Sequence, residues 1–237
     1  MLLRLFVMLT PPAAQPWLKV CGLRSPEQAA AVAGLGADAI GVIAVPPSPR
    51  WLAPEQRPAL FEAMAAARPG CLGVLVVADP EDGDLPQLGP EAGHQVLQLH
   101  GGETPERCAA LRQRLGPELM LWKALRIRSQ QHLVQAEAYA AVVDALLLDA
   151  WVPDQLGGTG HRIPIEWLEG FQPSLPWWLA GGITPESLPD ALQALAINPP
   201  VGVDASSGVE RAPGDKNLDR VAQLVTAVAA FRQDRPT

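Results

Sequence analysis

From Trp17 onward, short apolar runs rich in Val, Leu and Ile alternate with longer segments in which apolar positions recur every three or four residues. The runs are nearly continuous in hydrophobicity, as parallel strands buried on both faces must be. Eight stand out: LKVCGL (Leu18 to Leu23), AIGVIAV (Ala39 to Val45), LGVLVV (Leu72 to Val77), QVLQLH (Gln95 to His100), LMLWKAL (Leu119 to Leu125), DALLLD (Asp144 to Asp149), PWWLAGG (Pro176 to Gly182) and VGVDAS (Val201 to Ser206). Strands alternating with helical spacing build a parallel sheet covered by helices. Eight such units predict an α/β protein, a single (β/α)₈ TIM barrel.

The helix starts carry local signals. Ser25-Pro26-Glu27, Ala53-Pro54-Glu55, Thr104-Pro105-Glu106 and Thr184-Pro185-Glu186 place proline at the first helical position and a carboxylate near the positive end of the helix. The third unit is the weakest, because 79–93 is crowded with Pro, Gly and acids and has room only for a short helix. Nothing resembling a linker divides the chain, so 17–237 is read as one barrel and 1–16 as a poorly ordered extension. That extension has an apolar run and one Arg, the outline of a secretory signal, but Pro11 and Pro12 break it early. A frayed tail or an upstream start codon is the simpler reading.

Length agrees with this picture, since 237 residues suit one barrel and allow roughly 70% or more of the extended chain's surface to be buried. The net charge of −7, with no basic run interleaved with aromatics, excludes nucleic acid as a partner. No segment reaches the ~20 apolar residues needed to cross a membrane. The three cysteines form no C-x-x-C pair, which argues against both a disulfide framework and structural zinc and for a reducing, cytoplasmic setting. The expected partner is a small phosphorylated molecule, and the chain is expected to be a monomer or homodimer.

In a barrel the chemistry belongs at the strand C-termini and the loops after them. That rule selects Cys21 at the end of the first strand, although a lone cysteine is ordinarily a small buried hydrophobe. Cys71 precedes a strand and Cys108 sits inside a helix. Asp149 ends the sixth strand after an apolar run, where an unpaired carboxylate is costly to bury, whereas Asp144 at the other end is more simply solvated. Three successive loops are rich in glycine and hydroxyls: Gly157-Gly158-Thr159-Gly160, Gly181-Gly182 and Ser206-Ser207-Gly208. Such loops let backbone N–H groups approach an anion, and barrel phosphate sites commonly use the last two. Any one of them is explained equally well as a tight turn. Arg50, in a proline-stiffened loop, is suited to bidentate capture of a carboxylate, though a surface arginine is the commoner case. His100 reads more simply as a satisfied structural histidine. Lys19 shares the face of Cys21, Lys123 lies within the fifth strand, and either needs a partner if it points inward.

Taken in order, KVCGL, GADAIGVI, SPRWLAPEQ, VLQLHGGE, LLLDA followed by GGTG, LAGGITPE, and GVDASSGVE with PGDKN are similar to the motif series of the phosphoribosylanthranilate isomerase family of tryptophan biosynthesis. The resemblance runs from about Lys19 to the final helix. It implies a cofactor-free, metal-free Amadori rearrangement of an aminoaldose phosphate. In that mechanism Asp149 is the general acid on the furanose oxygen and Cys21 the base at the sugar C2. It implies further that Arg50 holds the anthranilate carboxylate, that the three loops cradle the phosphate, and that Asp204 has an orienting role. The segment 161–164 departs from the usual form. Two alternatives stay open on the residues: a different phosphosugar barrel, either the analogous histidine-pathway isomerase, which carries aspartate where Cys21 stands, or a lyase or aldolase using Lys19 or Lys123, and a catalytically silent phosphosugar-binding or partner-regulating barrel.

Overall fold

The computed structural model describes residues 16–150 and 162–233, so all of the expected N-terminal extension but Pro16, and the loop 157–160, lie outside it. Eight strands close in sequence order: β1 (Trp17–Cys21), β2 (Ala39–Ile43), β3 (Leu72–Val77), β4 (Val96–Leu99), β5 (Met120–Ile127), β6 (Ala145–Ala150), β7 (Trp177–Leu179) and β8 (Gly202–Ala205). Every neighbouring pair is parallel, β1 with β8 included. Each expected strand is present; most are shorter by one to four residues, because the ends of the runs belong to the loops.

The helices are α1 (Pro26–Leu35), α2 (Arg57–Ala67), α3 (Pro105–Leu115), α4 (Leu188–Ala194) and α5 (Leu218–Gln233). Two of the proline caps form as written, with Ser25 Oγ accepting from the Gln28 amide at 3.2 Å and Thr104 Oγ1 from that of Arg107 at 3.3 Å. The other two are displaced. Pro54–Gln56 makes a 3₁₀ turn before α2, and α4 begins at Leu188 after a turn in which Thr184 and Ser187 exchange side-chain to backbone hydrogen bonds. The third crossover contains only the 3₁₀ turns Asp82–Gln87 and Pro90–Ala92, as its composition suggested.

Period-two alternation sorts the strand residues into two packed layers. Outward positions such as Leu18, Val20, Ile40, Leu75, Leu97, Leu121, Leu146 and Val203 pack beneath the helices. Inward positions such as Val74, Val96, Met120, Trp122, Leu147 and Trp178 fill the barrel. A fully buried Leu or Val contributes about 1.5–3 kcal/mol, so these two layers dominate the fold's stability. The rings of Trp122 and Trp178 stack at 4.7 Å, in space left by Gly202, where a β-carbon would come within 2.4 Å of the Trp178 ring. These indoles plug the lower barrel and leave the strand C-terminal end open. Asp144 is not merely solvated, since it pairs with Arg112 and accepts from the Leu121 amide at 2.6 Å.

Candidate active site

A cavity opens at the C-terminal mouth of the barrel, where small-ligand sites of this fold are built. Cys21 and Asp149 both line it. They reach it from opposite walls, because β1 and β6 are separated by β7 and β8 on one side and by four strands on the other. Both are inward positions and nearly buried, at 6% and 5% exposure. Cys71 and Cys108 are buried elsewhere, Cys71 against the Ala37 carbonyl, and contribute to the outer layer.

The thiol of Cys21 has room because of the strand beside it. Register pairs Cys21 with Gly41, and a β-carbon on Gly41 would stand 2.6 Å from Sγ. Below it lies Lys19, wholly buried and 2.9 Å from Asp204 Oδ2, its register neighbour on β8. Burial opposes the Lys19 ammonium, but Asp204 and then Cys21 outweigh that cost and leave its pKa raised. Burial dominates at Cys21 and pushes the thiol above its ordinary value, against the pull of Lys19 and Lys216. A thiol acts as a base only through its thiolate, and here desolvation opposes that form.

On the opposite wall, His100 Nε2 lies 3.3 Å from Asp149 Oδ2. The amide nitrogen of Gln98 donates to His100 Nδ1 at 3.0 Å, which assigns the ring hydrogen to Nε2, on the Asp149 side. His100 is therefore part of the cavity rather than a purely structural group. The sequence did contain the signal, since Val96, Gln98 and His100 alternate along one face of their strand. Gln98 Oε1 and Asp204 Oδ1 are buried, belong to cavity-lining side chains and have no hydrogen-bond partner among the described residues. Buried acceptors of this kind suit ligand hydroxyls.

The loops after β7 and β8 form a third wall with Gly181, Gly182, Ser207 and Gly208. Their backbone N–H groups find no acceptor among the described residues. Gly208 approaches so closely that a β-carbon there would lie 2.1 Å from the Ile183 carbonyl oxygen. Ser206 lines the cavity too, but its hydroxyl donates to the Cys21 carbonyl at 3.0 Å and ties β8 to β1. Gly157, Gly158, Thr159 and Gly160 lie outside the described residues.

Arg50 is buried at the rim, and it already grips a carboxylate: Nε and Nη2 reach Glu210 at 2.9 and 2.7 Å. Lys123 proves to face outward, between β5 and α3, where it meets Glu103 at 2.6 Å. Among the described residues, no group of three or more His, Cys, Asp or Glu is arranged to hold a metal ion. No described helix is long and apolar enough to cross a membrane.

Fold and site together define a (β/α)₈-barrel whose cavity, lined by Cys21, His100 and Asp149, lies at the strand C-terminal end, where enzymes of this fold carry their active sites. The model of the N-(5'-phosphoribosyl)anthranilate (PRA) isomerase family matches residues 18–227. The chain belongs to that family. It is 48% identical over 212 residues to the N-(5'-phosphoribosyl)anthranilate isomerase of Synechococcus elongatus, covering 90% of this chain and 95% of the relative. The crystal structure of the Thermus thermophilus phosphoribosyl anthranilate isomerase is similar with a TM-score of 0.76 and 32% identity, covering 90% of this chain and 98% of that one. A phosphoribosyl anthranilate isomerase in complex with reduced 1-(o-carboxyphenylamino)-1-deoxyribulose 5-phosphate matches with a TM-score of 0.73 at 25% identity, covering 91% of this chain and 99% of that one.

Proposed function

We propose that this chain converts N-(5-phosphoribosyl)anthranilate into 1-(2-carboxyphenylamino)-1-deoxyribulose 5-phosphate, with Asp149 as general acid and Cys21 as general base. The observation carrying this reading is that the two side chains line one cavity from opposite walls, between Arg50 and the loops after β7 and β8.

Asp149 gives its proton to the furanose ring oxygen as the C1–O bond breaks and the aniline nitrogen's lone pair forms a C1=N bond. The thiolate of Cys21 takes the proton from C2, and the C–H electrons become the C1=C2 bond as nitrogen recovers its lone pair. Return of a proton to C1 and loss of one from the C2 hydroxyl give the ketone. Hydrogen is only redistributed within one molecule, so the balance needs no oxidant or reductant.

His100 is placed to stabilise the carboxylate left once Asp149 has given up its proton. Arg50 holds the anthranilate carboxylate. The N–H groups of Gly181, Gly182, Ser207 and Gly208 receive the phosphate, with Gly157, Gly158, Thr159 and Gly160 proposed to close that cradle. Ser206 contributes by fixing the loop against β1. Lys19 and Asp204 support the floor below Cys21. The complex of the related isomerase with a reduced product analogue supports this choice of ligand. A Schiff-base aldolase is disfavoured, because Lys19 and Lys123 are each committed to a buried carboxylate.

Fluorescence decay of freshly prepared phosphoribosylanthranilate tests the proposal. Cys21→Ser and Asp149→Asn should each lose about 10²-fold or more in rate, the scale of one general acid or base. Full activity in either variant refutes that residue's assignment, and an inactive wild type refutes the reaction.

A further inference from the structure

The chain after β8 makes a small hairpin, β9 (Glu210–Ala212) and β10 (Asp215–Lys216), that lies beside the cavity mouth. Its two charged ends point back toward the site and meet each other, with Lys216 Nζ 2.6 Å from Glu210 Oε1. Both are nearly or wholly inaccessible, Glu210 showing 5% of its side chain and Lys216 none.

Each member of this cluster is fixed by the next. Lys216 Nζ also donates to the carbonyl oxygens of Cys21 at 2.5 Å and Ser206 at 3.3 Å, which anchors it on the ends of β1 and β8. Glu210 additionally accepts from the Gly214 amide at 3.1 Å. With its carboxylate so held, it takes Arg50 by the side of the guanidinium, through Nε and Nη2. The stem of Arg50 is confined as well: Gly22 has a φ of +86°, and a β-carbon there would stand 2.5 Å from Arg50 Cδ. The cluster of Arg50, Glu210 and Lys216 keeps one net positive charge at the rim.

We propose that Glu210 is a positioning residue that makes Arg50 specific for a flat carboxylate. An arginine can offer a carboxylate either its Nε side or its Nη1/Nη2 end. Glu210 occupies the first, so only the end remains, and it is held still before any ligand arrives. Two parallel N–H groups on that end match the two oxygens of a ring carboxylate, and the ordering cost of a long flexible side chain is met in advance. This inference rests on the reading of Arg50 as the carboxylate holder.

Calorimetry with two ligands separates the two claims. One is the reduced product analogue, reduced 1-(o-carboxyphenylamino)-1-deoxyribulose 5-phosphate; the other is its counterpart with phenyl in place of carboxyphenyl. The wild type should bind the first at least about tenfold more tightly, the scale of a charge-assisted bidentate contact. In Glu210→Gln that preference should collapse to within about threefold, with the carboxyl-free ligand bound as before, and KM for the substrate should rise while kcat holds. A wild type that does not prefer the carboxylated ligand refutes the role of Arg50. A wild type that does, with Glu210→Gln either keeping the preference or weakening both ligands alike, refutes Glu210 alone. If Glu210→Gln does not fold, Glu210→Asp takes its place. It keeps the charge toward Lys216 but shortens the reach to Arg50, and should lose preference in the same sense.

Discussion

His100 Nε2 stands 3.3 Å from Asp149 Oδ2 with both side chains buried, and its other ring nitrogen accepts from Gln98. With Nδ1 accepting from Gln98, Nε2 faces the oxygen where negative charge appears when Asp149 acts as an acid, and it has no other hydrogen-bond partner among the described residues. Hydrogen bonds to charged groups are worth about 1.5–3 kcal/mol, so His100→Leu should lower kcat by about tenfold to a hundredfold and barely change KM. Steady-state kinetics on His100→Leu checks this. An unchanged kcat would return His100 to a structural role.

Gly41 is small because Cys21 needs its space. Gly41→Ala puts a methyl 2.6 Å from the undisturbed Sγ, so the thiol or the strand must shift. Misplacing a reacting group by about 1 Å can cost on the order of 10²-fold in rate. The variant should lose kcat by about tenfold to a hundredfold while its melting temperature falls by only a few degrees. Parallel kinetics and thermal denaturation separate the two effects.

The reactivity of Cys21 follows from its burial. Desolvation raises its pKa above the ordinary thiol value, so at neutral pH the proton is on sulfur and the thiolate is the minor form. Below that pKa the thiolate fraction grows tenfold per pH unit. Iodoacetamide labelling of Cys21 in the free enzyme, followed by mass spectrometry, should therefore speed up by about tenfold per unit from pH 7 to 9. A labelling rate already level across that range would mean that the thiolate is the resting form.

Strand positions were readable because each run had to be apolar on both sides, but that same continuity hides which face of a run points inward. Cys21, Asp149 and the loops at 181–182 and 206–208 came with it, since strand ends locate the site. The Arg50–Glu210–Lys216 cluster was hidden, because a hairpin brings together residues 160 positions apart and no local pattern announces such a contact. Lys123 shows the opposite failure. Its membership of a strand was plain, yet only the full alternation of β5, with Met120, Trp122 and Ala124 inside, reveals that it faces the helices. The start of α4 is set by a reciprocal cap, in which Thr184 and Ser187 satisfy each other's N–H groups across the turn that precedes Leu188.

His94 sets an acid limit on stability away from the site. It is buried against Phe61, with ring centroids 5.8 Å apart, and its Nε2 donates to the Leu88 carbonyl at 3.1 Å. Burial is the main reason its pKa falls to about 4, and the nearby Arg57 adds to it. The unfolded chain, with a pKa near 6.5, therefore takes up a proton that the folded chain refuses as pH falls from about 6.5 to 4. Unfolding is favoured over that window by about 1.4 kcal/mol per pH unit, and no further below it. His94→Gln keeps a donor for Leu88 and cannot titrate. Urea unfolding at pH 7 and pH 4.5 should show the wild type losing about 2–3 kcal/mol more than the variant. Equal losses would mean that His94 is already protonated in the folded protein.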